Sequence, residues 1–156
     1  MPNSSDESKT TLDGSRTMSG KPSGFRSLVG YRAVTWREAY AEIELRLEGQ
    51  HMNSLGIPHG GVYMTLLDAA FGHAVTWCPV PGNVRTCVTV SLNTSFLASA
   101  RSGSLKAIGR LDGIEGRIAT ASGEVRDETG RLLAVGQASF LYAPGSERIE
   151  GVARKG

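Results

Sequence analysis

Between Gly60 and Trp77 the chain runs through Val62, Met64, Leu66, Leu67, Ala69, Ala70, Phe71, Ala74 and Val75 with a single formal charge, at Asp68. Tyr63 and His73 are the only other ionisable groups there. At helical spacing these residues leave no polar face, and a helix that is apolar all round has to be buried on all sides. A carboxylate near its middle is costly unless it has a partner or a task. The rest of the chain must supply a shell around this helix.

The approach to the helix is Asn53-Ser54-Leu55-Gly56-Ile57-Pro58-His59-Gly60-Gly61. Pro58 forces Ile57 into an extended conformation and suits a helix entry. No Asp, Glu, Ser or Thr stands between Pro58 and Val62, so the first N–H groups and the positive end of the helix dipole are expected to be open to a ligand. Two glycines, lacking Cβ atoms, let another molecule approach the backbone. Such a start, with a lone carboxylate further along, suits polarising a carbonyl and delivering a base or nucleophile to it.

The flanking segments read as strands. In Tyr40 to Glu48, Ala41, Ile43, Leu45 and Leu47 alternate with Glu42, Glu44, Arg46 and Glu48, the pattern of a half-buried antiparallel strand. Leu28 to Trp36 is β-prone. Val84 to Leu97 alternates Val88, Val90, Leu92 and Thr94 on one side with Thr89, Ser91, Asn93 and Ser95 on the other. Three more strands follow, split by expected turns at Asp112-Gly113 and Thr129-Gly130. Small residues recur on their inner faces at Gly109, Ala121, Gly123, Ala134, Gly136 and Ala138, leaving room for a helix. The fold class is α+β, an antiparallel sheet wrapped around one long buried helix.

A chain of 156 residues is one domain, expected over 28–143, with polar tails at 1–27 and 144–156. The balance of 17 basic to 15 acidic residues, net +2, is too small to suggest a nucleic-acid partner. Cys78 and Cys87 have no zinc spacing, and His51, His59 and His73 are scattered, so no metal is expected and the thiols fit a reducing cytosol. The apolar run is too short to span a bilayer and Asp68 interrupts it. With no apolar leader at the start of the chain, a cytoplasmic location and no membrane partner are expected.

The pattern Asn53-x5-His59-Gly60-Gly61-x6-Asp68-x3-Gly72 resembles the signature of the hotdog-fold acyl-CoA thioesterases, the PaaI-type and 4-hydroxybenzoyl-CoA-thioesterase-like group. The resemblance covers Tyr31 to Tyr142. It implies hydrolysis of an acyl-S-CoA bond to a carboxylic acid and free CoA, with no cofactor beyond the CoA of the substrate. By that resemblance Asp68 is general base or nucleophile and the Gly60 N–H polarises the thioester oxygen. Asn53 orients the thioester, Gly61 binds substrate, and Thr89 matches a hydroxyl that orients the attacking water. His59 lies beside the leaving thiolate or caps the turn. The structural alternatives are an Asp68 paired with a core arginine, an Asn53 closing a turn and a Thr89 facing another strand.

Spacing adds a constraint. Eight residues separate Gly60 from Asp68, about 12 Å of helix, so one thioester carbon cannot touch both. If they act together, they come from two helices packed antiparallel across a two-fold axis, which predicts a homodimer with its sites at the interface. The resemblance adds a dimer of dimers. Rival readings are a hotdog enoyl-CoA hydratase, suggested by Asp68-x4-His73, and a non-catalytic acyl-CoA-binding protein.

Overall fold

The computed structural model describes residues 23–154; the expected N-terminal tail lies outside them up to residue 22. In chain order the elements are α1 (Gly24–Val29), β1 (Arg32–Arg37), β2 (Tyr40–Arg46), a 3-10 turn (Gly49–His51), α2 (Gly60–Thr76), β3 (Asn83–Val84), β4 (Cys87–Phe96), β5 (Ser104–Glu115), β6 (Ile118–Asp127), β7 (Leu132–Tyr142) and β8 (Val152–Ala153). Six strands form one antiparallel sheet in the order β1-β2-β5-β6-β7-β4, and β3 pairs with β8 apart from it. β2 pairs with β5 so that Ile43 opposes Ala107 and Leu45 opposes Leu105. Among the described residues no helix is long and apolar enough to cross a membrane.

α2 lies in the curve of the sheet and buries Tyr63, Leu66, Leu67, Ala70, Phe71, Ala74 and Val75. Each large apolar side chain among them contributes about 1.5–3 kcal/mol relative to exposure. The small residues of the sheet make this close approach possible. A Cβ at Gly109 would stand 2.6 Å from the Ala70 carbonyl group, and one at Gly136 would stand 2.9 Å from Leu67 Cδ1.

Several expectations need correction. α2 is not covered on all sides: Gly61, Met64, Thr65, Asp68, Ala69, Gly72, His73 and Thr76 form a stripe that the sheet leaves half-buried or exposed. Its residues are mostly small or polar, which a count of apolar residues around the helix did not separate from the core face. Second, the β-prone start at Leu28 is the end of helix α1. The Ser23 side chain accepts the Arg26 N–H, and Gly30, at φ 87°, closes the helix in the left-handed region. Caps at both ends outweigh the strand propensity of Val29.

Third, β4 does not alternate strictly. Its register against β7 shifts between Thr89 and Ser91, so Thr89 opposes Phe140 and Leu92 opposes Ala138, both on the helix side. Val88 and Val90 are therefore exposed instead of sharing a face with Leu92. Asp112-Gly113 is likewise an irregularity within β5, and the turn comes at Gly116, φ 57°. Fourth, residues 144–154, expected as a tail, fold back so that β8 pairs with β3. The buried Arg85 holds them, donating to the carbonyls of Ser146, Glu147 and Trp77 and lying over the Tyr142 ring.

Candidate functional site

Asp68 stands on the open stripe of α2, and Thr89 Oγ1 donates to its Oδ1 at 2.7 Å. The bulge in β4 is what aims Thr89 there, because strict alternation would place it opposite to Leu92. Among the described residues no cation pairs with Asp68 and nothing donates to its Oδ2. The core arginine that could have neutralised it, Arg85, lines with Asp68 a hollow between α2 and β4 but spends its donors on main-chain carbonyls. Asp68 is thus held by one neutral hydrogen bond, with one carboxylate oxygen available for chemistry.

The negative charge is felt by its neighbours. Burial, reinforced by Asp68, pushes the Cys87 thiol up to about 11. Burial also raises Tyr31, with Arg26 opposing and Asp68 adding to the shift. Neither residue stood out in the sequence. Cys87 lies two residues before Thr89 on the same face, a signal that the alternation carried. Tyr31 gave none, since only the fold of α1 and β1 brings it to α2.

The second group of residues gathers at the start of α2. His59 is the N-cap, and its Nδ1 accepts the Gly61 N–H at 2.9 Å. Of the two readings of His59 the structure shows the cap, a histidine ring doing what Ser or Asp usually does, and the Gly61 N–H, expected to be open, is taken. This fixes His59 against its own backbone and occupies the Gly61 donor. A Cβ on Gly61 would stand 3.1 Å from that ring nitrogen, so the glycine makes room for the cap. The Gly60 N–H has no acceptor among the described residues. Asn53 Oδ1 accepts from the backbone of Leu55 and Ile57, closing the loop beneath the helix start and leaving its amide NH2 as a donor.

His73 lines a hollow with Asp68 but makes no hydrogen bond to it. Its Nδ1 bonds the Ala69 carbonyl, its ring meets Trp36 edge-on at 5.4 Å, and its own carbonyl accepts from Trp36 Nε1. Burial is the main cause that lowers its pKa. Among the described residues no cluster of three His, Cys, Asp or Glu is arranged to hold a metal.

One protomer thus holds two separate half-constellations, Asp68 with Thr89 and the Asn53–Gly61 turn, at different levels of one helix. β4, on the edge beside them, has no charged residue along its length and exposes Val88, Val90 and Phe96. The opposite edge, β1, carries Arg32 and Arg37 at its ends. Charges protect an exposed edge from pairing, and β4 carries none.

The thioesterase superfamily model matches residues 55–134. A protein of Pseudomonas aeruginosa named "Putative esterase" is 32% identical over 103 residues, 65% of this chain and 74% of its own length. In three dimensions the chain is similar to a thioesterase of Haemophilus influenzae, with TM-score 0.69 and 23% identity over 76% of this chain and 82% of that one. It is also similar to the PaaI protein from the phenylacetic acid degradation operon of Escherichia coli, with TM-score 0.69 and 18% identity over 78% of this chain and 85% of that one. These two structures speak for the fold alone, one helix wrapped in an antiparallel sheet. The match of the family model carries the assignment: the chain belongs to the thioesterase superfamily and has its hotdog fold.

Proposed function

We propose that the protein hydrolyses an acyl-CoA thioester, with each active site built from Asp68 and Thr89 of one subunit and the Asn53–Gly61 turn of a second. The observation that carries this reading is the uncompensated Asp68 carboxylate on the stripe of α2 that the sheet leaves open. It is supported by the Gly60 donor, too far along the same helix to share a carbonyl with it, and by the uncharged β4 edge.

In this reading the Gly60 N–H polarises the thioester oxygen, and Asp68 takes a proton from a water that attacks the carbonyl carbon. The tetrahedral intermediate then expels the thiolate, leaving a carboxylic acid and the thiol of CoA. Direct attack by Asp68 instead would form an anhydride that water opens. His73, turned to Trp36 and Ala69, gives no support to a hydratase that pairs it with Asp68.

Thiol release from acyl-CoAs tests the proposal. Asp68→Asn is expected to lower the rate by about 10²–10⁴ with an unchanged melting temperature, since the amide keeps the shape but not the basicity. Wild-type rates in that variant would overturn it. Single turnover in ¹⁸O water separates the two chemistries, because only the anhydride route puts label into Asp68.

A further inference from the structure

We infer that the hollow between α1 and α2 beside Asp68 is the acyl pocket, and that Phe25 of α1 sets which acyl groups enter it: uncharged, apolar and of limited bulk. This inference rests on the thioester reading above and names its substrate class.

The hollow, about 330 Å³, is lined by Phe25, Tyr31, Met64, Ala69 and Leu92 with Thr65 and Asp68. Asp68 is itself in the wall, so a group filling the hollow ends within reach of the carboxylate. The other walls are almost wholly apolar. Thr65 donates its hydroxyl to the Gly61 carbonyl, which leaves the Tyr31 phenol as the main polar group turned to an occupant. Burial and the charge of Asp68 keep that phenol protonated. An acyl group with a terminal carboxylate would enter an apolar hollow beside an anion, a cost that the single Tyr31 hydroxyl offsets only in part. A cavity of about 150 Å³ accepts benzene, so twice that volume admits one substituted ring or a chain of similar bulk.

Phe25 is the residue whose placement needs an explanation. α1 buries none of its residues, and Phe25 is 57% exposed, so it is not a core side chain. The helix is nevertheless pinned. Ser23 and Gly30 cap it, and Arg26 Nε donates to the Tyr31 carbonyl. His51 ties it to the turn before α2: its Nδ1 accepts the Glu48 N–H, so its Nε2–H donates to the Val29 carbonyl at 2.7 Å. A short helix that fully buries none of its residues and meets the core through Val29, held at both ends, keeps one phenyl ring at the rim of the hollow. α1 precedes the segment 55–134 matched by the family model.

The test is kcat/KM for thiol release by the full chain, as wild type, Phe25→Ala and Phe25→Trp. The substrates are straight-chain acyl-CoAs from acetyl to palmitoyl, with benzoyl-CoA and with succinyl-CoA against butyryl-CoA. Succinyl-CoA is expected at least tenfold below butyryl-CoA. Phe25→Ala should raise the ratio of longer to shorter chains by about fourfold for each further methylene admitted, and Phe25→Trp should lower it. A uniform change over all chain lengths, or succinyl-CoA matching butyryl-CoA, would overturn the pocket and leave the hydrolase standing. If the wild type releases no thiol from any substrate, the hydrolase reading falls. Calorimetric titration of the same variants with non-hydrolysable thioether analogues then still reads the pocket. Affinity that moves with chain length and with residue 25 supports it, and affinity indifferent to both overturns it.

Discussion

At the scale of single residues, Asp68 is informative because of what does not neutralise it. A buried arginine is close by, yet its donors go to carbonyls, so the carboxylate charge reaches its neighbours. Cys87 is a built-in reporter of that charge. Its thiol is pushed up to about 11 by burial and by Asp68, and only the thiolate alkylates. In Asp68→Asn one of those two causes is gone, so the Cys87 pKa falls and iodoacetamide labelling at pH 8 should speed up. Mass spectrometry of the peptide containing Cys87 reads this, and a rate that is unchanged or slower would show that the two groups do not interact.

Asp68 was legible in the sequence because one charge in an apolar run is conspicuous. Thr89 came from family likeness, and its aim depends on a register shift that strict alternation cannot express. The His59 cap was one of two readings left open by the sequence, and its ring's bond to a backbone N–H two residues on, a choice made by the local turn, decides between them. Phe25 and Tyr31 were invisible, since only the folding of α1 and β1 brings them to α2.

At the scale of elements, the helix–sheet interface divides the glycines into two kinds. Gly109→Ala places a methyl group 2.6 Å from the Ala70 carbonyl, where neither backbone can yield. It should destabilise by about 1–3 kcal/mol or more, read as a lower denaturation midpoint. Gly72, on the open stripe, has only the Phe140 ring edge at 4.0 Å. Gly72→Ala in the middle of a helix should leave protomer stability equal or raise it by about 0.5–1 kcal/mol. The inner-face glycines were legible as a pattern; the open stripe was not, because Gly, Ala and Thr do not reveal which side of a helix is dry.

The far end of α2 carries a pH dependence. Burial holds the His73 pKa below its ordinary value, with Arg26 adding and the Ala69 carbonyl opposing. The unfolded chain therefore binds the proton first. Stability is complete above the ordinary histidine range and is lost as pH falls through about 6.5 toward the folded value. Melting temperatures between pH 7.5 and 5.5 should drop further in the wild type than in His73→Gln. Equal drops would assign the dependence to other groups.

At the scale of the whole molecule, the proposed sharing of the site between two subunits has a complementation test. Gly60→Pro deletes the free N–H yet suits the first position of a helix, where proline is favoured; the ring of Phe96, 3.3 Å from a Cβ there, must give a little. Losing one oxyanion donor should cost about 10²–10³ in rate. Refolded with Asp68→Asn, about half of the dimers are mixed and each regains one intact site, so about a quarter of wild-type activity should return. No gain over the separately refolded variants, with exchange shown by tagged pull-down, would place the chemistry within one chain.

The strand order has a consequence in time. β4 ends at Phe96, but its partner in the sheet, β7, begins only at Leu132. Synthesis at about 5–20 residues per second leaves roughly 2–7 s between them. For that interval a ten-residue, uncharged segment with valines on its surface waits at the ribosome with neither edge paired. Within the six-stranded sheet, β4 is the strand that the nascent chain leaves unpaired longest, and it is also an edge of the finished sheet. Ribosome-associated chaperones should engage this nascent chain most strongly between the emergence of β4 and that of β7, and selective ribosome profiling would locate that window.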